Sequence, residues 1–341
     1  MEKNEVSVKV LLTGATGFVG AAVLRQLIDH PDFGGDDVRV LVRETSDRRN
    51  LDGLACEIVM GELGDQSSLK HALQGCQVLF HVAADYRIWV REPEEMINTN
   101  VTGTTNIMDA ALSAGIEKVI YTSSVAALGI NADETPADEA TPSSLASMIG
   151  AYKRSKYLAE QEVRRLINEH ALPAIIVNPS APLGPRDIKP TPTGRLIVNA
   201  ARGELPAYVD TGLNFVHVDD VAYGYILAYE KGKIGERYIL GGDNLSLKTL
   251  LEKVAEITGK MAPKICIPHE VVLPFAHLAE VWTRLTNGSE PFATVDGVNM
   301  SKKKMYFTSA KAERELGYTH RPAENALRDA IKWFGDNGYL D

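Results

Sequence analysis

Val10-Leu-Leu-Thr-Gly14-Ala-Thr-Gly17-Phe-Val-Gly20 passes from an apolar run into a helical pattern through three glycines. The run Val6 to Thr13 is rich in Val and Leu and reads as a buried parallel strand. From Phe18 to Ile28, Val19, Val23, Leu24, Leu27 and Ile28 recur at helical spacing; Pro31 closes the segment, with Gly34 and Gly35 just beyond. Strand, glycine turn and helix in that order give each glycine a physical task. One makes a tight turn, one lets the backbone approach a pyrophosphate, and one packs helix on strand, with the anion at the helix N-terminus. The spacing is G-x-x-G-x-x-G rather than the commoner G-x-G-x-x-G, and a dinucleotide is the expected ligand.

Short apolar runs follow at Val38 to Val42, Cys56 to Met60, Val78 to Ala84, Lys118 to Thr122 and Ala174 to Asn178. Helical patterns separate most of them, at Gln66 to Leu73, Glu94 to Ala114 and Ala151 to His170. This alternation predicts an α/β fold, a doubly wound parallel (Rossmann) sheet with helices on both faces. Ligands bind such sheets at the carboxyl ends of the strands, where Ala83, Ala84, Ser123, Ser124, Pro179 and Ser180 stand. The second strand ends at Arg43, beside the expected adenosine ribose. An arginine there pairs with a 2'-phosphate and favours NADP; Glu44, next in line, would favour NAD by accepting from a ribose hydroxyl.

Tyr152 and Lys156 lie four residues apart on one helix and share a face with Ala159 and Val163. A free phenol titrates near pH 10, so a neighbouring ammonium is expected to bring it into a useful range for proton transfer. Ser124, at the preceding strand end, would hydrogen-bond the substrate oxygen. Without the glycine turn, the same pair would read as an amphipathic surface helix.

These residues resemble the extended short-chain dehydrogenase/reductase family over nearly the whole chain. Gly14-Ala-Thr-Gly17-Phe-Val-Gly20 resembles its nucleotide motif, His81-Val-Ala-Ala84 its fourth-strand signature, and Asn100-Val-Thr-Gly103-Thr104 its central-helix motif. Tyr121-Thr-Ser-Ser124 with Gly129 resembles its serine strand, and Tyr152-Lys-Arg-Ser-Lys156 its Y-x-x-x-K pair. The resemblance implies that Tyr152 is the general acid/base, that Lys156 holds the nicotinamide ribose and lowers the tyrosine pKa, and that Ser124 orients a carbonyl. It further implies that Thr16, Phe18, Val19, Glu62, Leu63 and Thr122 join the cofactor contacts, with Glu62 where Asp is usual. Asn178-Pro179-Ser180 is similar to the segment lining the nicotinamide. Within the family the chain looks most like the dihydroflavonol 4-reductase-like branch, especially bacterial members labelled hopanoid-associated sugar epimerases. The carriers are Asn178 to Asp187, Val295-Asp-Gly-Val298 and Lys302-Lys-Lys-Met305. Nucleotide-sugar epimerases of the family typically grip a diphosphate with an arginine where this chain has Leu213. A second arginine, in an Arg-x-Gly-Asp element, has no counterpart before Ser309-Ala-Lys311.

At 341 residues and 45% hydrophobic content the chain can bury a full core, and a net charge of -9 argues against nucleic acid as partner. Cys56, Cys76 and Cys266 form neither a metal set nor a complete disulfide framework, which fits a reducing cytoplasm. His217, Asp219 and Asp220 read as a turn and helix cap, and no metal is expected. Ile265 to Leu285 is too charged and too interrupted by Pro268 and Pro274 to span a bilayer; it is expected to pack over the pocket or, less simply, to lie on a membrane.

Residues 1–180 with about 211–240 are expected to form the nucleotide-binding domain, and about 181–210 with 241–341 a smaller, mainly helical substrate lobe. Pro182 to Pro206 reads as a long loop, and Asn214 to Tyr229 as a strand and helix returning to the core sheet. Tyr86, Ile88 and Trp89 are expected to face the substrate, with Phe215, Phe275 and Trp282 adding apolar surface. The leading function is an NADP-dependent oxidoreductase acting on a ketone or secondary alcohol, lipophilic or polycyclic. The alternatives are an NAD(P)-dependent NDP-sugar epimerase or dehydratase, and a noncatalytic NADP-binding regulator. The expected partners are a small molecule and, as an admissible assembly, a second copy in a homodimer.

Overall fold

Leucine and valine alternate sides along the first strand, so Val10 and Leu12 enter one core and Leu11 the other. That division organises the molecule, seen here in a computed structural model that describes residues 8–341 apart from 88, 287, 289, 290 and 292. The strands are β1 (Val10–Thr13), β2 (Val38–Val42), β3 (Glu57–Met60), β4 (Val78–His81), β5 (Lys118–Thr122), β6 (Ala174–Pro179), β7 (Ala181–Leu183), β8 (Ala207–Tyr208), β9 (Gly212–His217), β10 (Arg237–Leu240), β11 (Asp243–Ser246) and β12 (Ile265–Cys266). The helices are α1 (Phe18–Ile28), α2 (Gln66–Leu73), α3 (Pro93–Ala114), α4 (Gly150–His170), α5 (Pro192–Arg202), α6 (Val218–Lys231), α7 (Leu247–Thr258), α8 (His269–Thr286), α9 (Val295–Ser301), α10 (Ala310–Leu316) and α11 (Ala323–Asp336).

Seven strands form one sheet in the order β10-β6-β5-β4-β1-β2-β3, every neighbour parallel. Helices α1 and α6 cover one face through Val23, Leu27, Val221 and Tyr225. Helices α2, α3 and α4 cover the other through Leu69, Ile107 and Val163. The order reverses between β1 and β4, and a doubly wound sheet opens its ligand crevice at that point. The expected Rossmann sheet is therefore present, and its crevice lies at the ends of Thr13 and His81.

Two expectations give way. Asn214 to Tyr229 supplies a strand and a helix, but β9 does not enter the large sheet. It pairs with β7 and β11 in a three-stranded sheet, and the place next to β6 goes to β10. The Asn214 amide fixes this by donating to the Gly242 carbonyl (2.8 Å) and Asn244 Oδ1 (2.8 Å). Pro182 to Pro206 is not one loop, because it contains β7 and α5. Thr191 caps α5 by accepting from Gly194 N (3.1 Å), Pro192 stands in the first turn, and Gly203 closes it in the left-handed region. The prolines and glycines are helix punctuation rather than loop composition. Leu183, Ile197, Phe215, Leu250 and Leu327 form the core of the smaller lobe.

Candidate active site

The glycine turn is shaped by its own backbone as much as by any ligand. Gly14 has φ +80°, and a Cβ there would stand 2.7 Å from Ala83 N on the neighbouring strand end. At Gly20 a Cβ would overlap the Gly14 carbonyl oxygen. Gly17 opens α1, whose first turn has no side-chain cap and no acidic residue, so its N–H groups face the crevice with the positive end of the helix dipole. Asn50 Nδ2 steadies the loop by donating to the Thr16 carbonyl (3.2 Å). Thr13 Oγ1 holds the ends of β1 and β4 together, meeting His81 Nδ1 at 2.8 Å and accepting from Ala83 N at 3.2 Å. Phe18 turns into the core beneath α1, and Val19 is half-buried. Ala84 is half-buried at the same crevice edge.

Ser124 stands two residues beyond the end of β5, and its hydroxyl accepts from Ala126 N (3.1 Å). The Tyr152 side chain, one turn into α4, hydrogen-bonds Ser124. Lys156, four residues on, donates Nζ to the Thr122 carbonyl (2.9 Å), and Thr122 Oγ1 accepts from Tyr225 (2.9 Å). The fold therefore brings Thr122, Ser124, Tyr152 and Lys156 to one place. The electrostatics differ from expectation. Burial pushes the Tyr152 phenol above the ordinary tyrosine range, opposed by its hydrogen bond to Ser124. Lys156 does not draw it down, because burial pushes the ammonium itself down to about 8 and its proton is directed at Thr122.

Behind the lysine stands a buried network that residue-by-residue reading missed. Glu160, 1% exposed, accepts from Ser123 Oγ (2.5 Å), Asn178 Nδ2 (3.0 Å) and Arg237 (2.9 Å). Asn178 also donates to the Ser124 carbonyl (3.0 Å), so the network grips the backbone of the serine. Arg237 bonds the Glu139 carbonyl, and Glu139 Oε1 accepts from Ile239 N (2.8 Å). Glu160 opposes the discharge of Lys156. The available signal was spacing: Glu160 falls on the Tyr152 and Lys156 face one further turn along α4.

The burial of Lys156 has a consequence for stability. Its folded pKa lies below the unfolded value, so below about pH 8 the fold bears the cost of an enclosed ammonium, and above about 10.5 neither state carries it. Lys156→Met is expected to stabilise the cofactor-free protein by about 1 kcal/mol or more below pH 8, the gain fading towards pH 10. Urea unfolding of both proteins at pH 7 and 10 measures this, and a gain unchanged with pH would refute it.

The remaining expected residues are dispersed. Pro179 and Ser180 lie buried at the end of β6, and Ser180 Oγ has no protein partner among the described residues, a polar atom suited to a bound ligand. Leu63 packs against Gly103, and its carbonyl accepts from Asn106 Nδ2 (2.8 Å), while the Glu62 side chain is exposed. Arg43 is exposed at the end of β2; Asp47, the acid nearest along the loop after Glu44, is taken by Arg49 (2.7 Å). Tyr86 is exposed and in the field of Asp187 and Arg195; Ile88 lies outside the described residues. Trp89 borders a cavity of about 240 Å³ with Ala151, His277, Glu280, Arg284 and Asp296, beside the first turn of α4. The other aromatic residues are elsewhere: Phe215 is enclosed in the lobe core, and Phe275 and Trp282 point outward from α8. Helical phase decides this, since one turn of α8 cannot present both the cavity residues and these aromatics inward. His217 caps α6 by accepting from Asp219 N (3.0 Å), and Asp220 pairs with Arg321 (2.7 Å).

Residues 10–241 match the family described as the NAD dependent epimerase/dehydratase family. The chain belongs to that family. A putative dihydroflavonol 4-reductase of Synechocystis is 46% identical over 334 residues, covering 96% of this chain and 95% of its own. Sterol demethylase protein B of Methylococcus capsulatus is 34% identical, covering 97% and 99%. The crystal structure of gox2253 superimposes with a TM-score of 0.88 at 54% identity, covering 98% and 99%. This epimerase/dehydratase-family enzyme thus has the extended short-chain dehydrogenase/reductase fold and an NAD(P)-dependent ancestry of reductases and dehydratases. The glycine turn, the uncapped α1 and the unpartnered Ser180 hydroxyl fit such a dinucleotide. Among the described residues no helix is long and apolar enough to cross a membrane.

Proposed function

We propose that this enzyme is an NADP-dependent reductase of a ketone, or dehydrogenase of the corresponding secondary alcohol, acting on a lipophilic or polycyclic substrate. The observation that carries it is the Tyr152 phenol held protonated by burial and hydrogen-bonded to Ser124. A protonated phenol is an acid, and reduction of a carbonyl needs an acid at the oxygen. When bound, the nicotinamide supplies the hydride. Tyr152 Oη gives its proton to the carbonyl oxygen, Ser124 Oγ holds that oxygen, and Lys156 would hold the ribose. Asn178 and Glu160 fix the Ser124 backbone through the contacts above.

Support for the substrate class comes from two sides. Leu213, where sugar-nucleotide relatives place an arginine, packs into the lobe core and bridges to Met305. Arg186 is held by Asp219, and Arg195 favours the ionised form of the buried Asp187. Two of the similar proteins named above carry a dihydroflavonol and a sterol in their names. UDP and UDP-glucose should therefore bind no better than about millimolar, near -4 kcal/mol, in calorimetry with NADP present. Screening NADPH oxidation against steroid, flavonoid, polyprenoid and sugar ketones tests the reading. Turnover of sterol-like ketones is the expected result; low-micromolar binding of UDP-glucose with interconversion at one sugar carbon would replace it with epimerisation.

Arg43 is proposed to select the cofactor. A guanidinium paired with a phosphate contributes about 1.5 to 3 kcal/mol. Arg43→Ala should therefore weaken NADPH by about tenfold or more and leave NADH nearly unchanged. Fluorescence titration of both cofactors decides it, and equal losses would remove the assignment.

A further inference from the structure

Helix α8 has two unlike faces. His277, Glu280 and Arg284 line the cavity beside Trp89 and Ala151, and Glu280 accepts from Val295 N (2.7 Å). On the opposite side Val271, Phe275, Leu278, Trp282 and Leu285 follow at intervals of four, three, four and three residues, a single stripe along the helix. Their exposures are 50, 68, 67, 69 and 78%. Apolar side chains scattered singly over a surface are ordinary, but five large ones aligned on one helix mark a surface that meets something.

The charge around the stripe distinguishes its occupant. Between residues 260 and 304 stand six basic residues, Lys260, Lys264, Arg284 and Lys302 to Lys304, against the four acids Glu270, Glu280, Glu290 and Asp296. This segment is net basic within a chain of net charge -9. Glu280, Asp296 and the basic Arg284 face the cavity rather than the stripe, and Lys304 is paired with Glu134 (2.9 Å), which leaves Lys260, Lys264, Lys302 and Lys303 against Glu270 and Glu290. Lys302 and Lys303 are exposed directly after α9, which packs on α8. A second copy docked stripe to stripe would bring like charges together, whereas an anionic lipid surface complements them. Trp, Phe and Leu on one face with basic flanks are the composition of helices that lie in the membrane interface.

We propose that α8 docks this enzyme on an anionic lipid bilayer, with Phe275, Leu278, Trp282 and Leu285 entering the headgroup boundary. The inner face of the same helix borders the cavity lined by Trp89 and by Ala151 at the start of α4, the helix that carries Tyr152, so docking sets that cavity over the bilayer from which a lipophilic substrate enters; this second step rests on the substrate class proposed above. The docking itself does not, and its test needs no substrate.

Sedimentation of the full-length protein with vesicles of phosphatidylglycerol and phosphatidylcholine in equal parts reads the partition. Wild type should pellet with these vesicles, at least about tenfold less with phosphatidylcholine alone or in 0.5 M salt, and Trp282 emission should shift to the blue. Phe275→Ser with Trp282→Ser should lose the partition by at least tenfold while keeping its thermal midpoint and its NADPH binding, since both side chains point outward. Lys302→Glu with Lys303→Glu provides a second variant that spares the apolar face and should lower only the anionic component. Absence of wild-type pelleting, or equal pelleting of the Phe275 and Trp282 variant, overturns the proposal. A wild-type dimer that the same substitutions dissolve would assign the stripe to a second copy. Vesicle binding without reduction of any lipophilic ketone would leave docking standing and remove the substrate class alone.

Discussion

Tyr152→Phe lowers the rate of carbonyl reduction by at least about 100-fold, the usual scale of a positioned general acid, while NADPH binds nearly as in wild type. The ring is retained, so packing against Met96 and Ile97 and the shape of the crevice are kept; only the proton and its hydrogen bond to Ser124 are lost. Single-turnover measurement with saturating NADPH separates the chemical step from binding. The pH profile adds a second readout. Because burial raises the phenol, wild-type reduction should hold its rate through neutral pH and decline only in the alkaline range, as the acid form is lost. Retention of more than a tenth of the rate, or a wild-type profile that falls below pH 8, would end the acid assignment.

Glu160→Gln is expected to cost roughly 3 kcal/mol of stability, the lower end of the range for removing one partner of a buried pair, since Arg237 keeps some solvent contact. The neutral amide can still meet Ser123 and Asn178, so the loss measures charge rather than shape. Removing both charges by Glu160→Gln with Arg237→Met should cost less than the sum of the single changes, because the uncompensated ion is then absent. Urea unfolding of the four proteins gives the coupling. Additive losses would mean that the pair does not act as a unit. The same substitution removes the charge that opposes the discharge of Lys156, so cofactor affinity in Glu160→Gln should fall at lower pH than in wild type.

Much of this architecture was legible in the chain because its signals are local. Apolar runs of four to six residues separated by helical patterns become the parallel strands, and Gly14 and Gly20 are needed by backbone contacts within the turn itself. Local periodicity also placed Tyr152 and Lys156 on one helical face. Reading by composition failed between Pro182 and Pro206, where proline and glycine serve as the start and stop of α5. It failed again at Phe215, Phe275 and Trp282, because an aromatic residue states its preference for burial but not which surface it faces.

The sequence by itself determined the family, the parallel sheet and the glycine turn between β1 and α1, since each depends on spacing within one strand, turn or helix. Only the tertiary structure decided the rest. It enclosed Glu160 with Ser123, Asn178 and Arg237, residues contributed by the ends of three strands and a helix, and so set the electrostatic surroundings of Lys156. It raised the Tyr152 phenol, because desolvation depends on everything packed around a group and not on its neighbours in the chain. It also placed the apolar stripe of α8 in solvent and the charged face of that helix at the cavity, a choice that helical phase permits in either direction and that packing against α9 resolves.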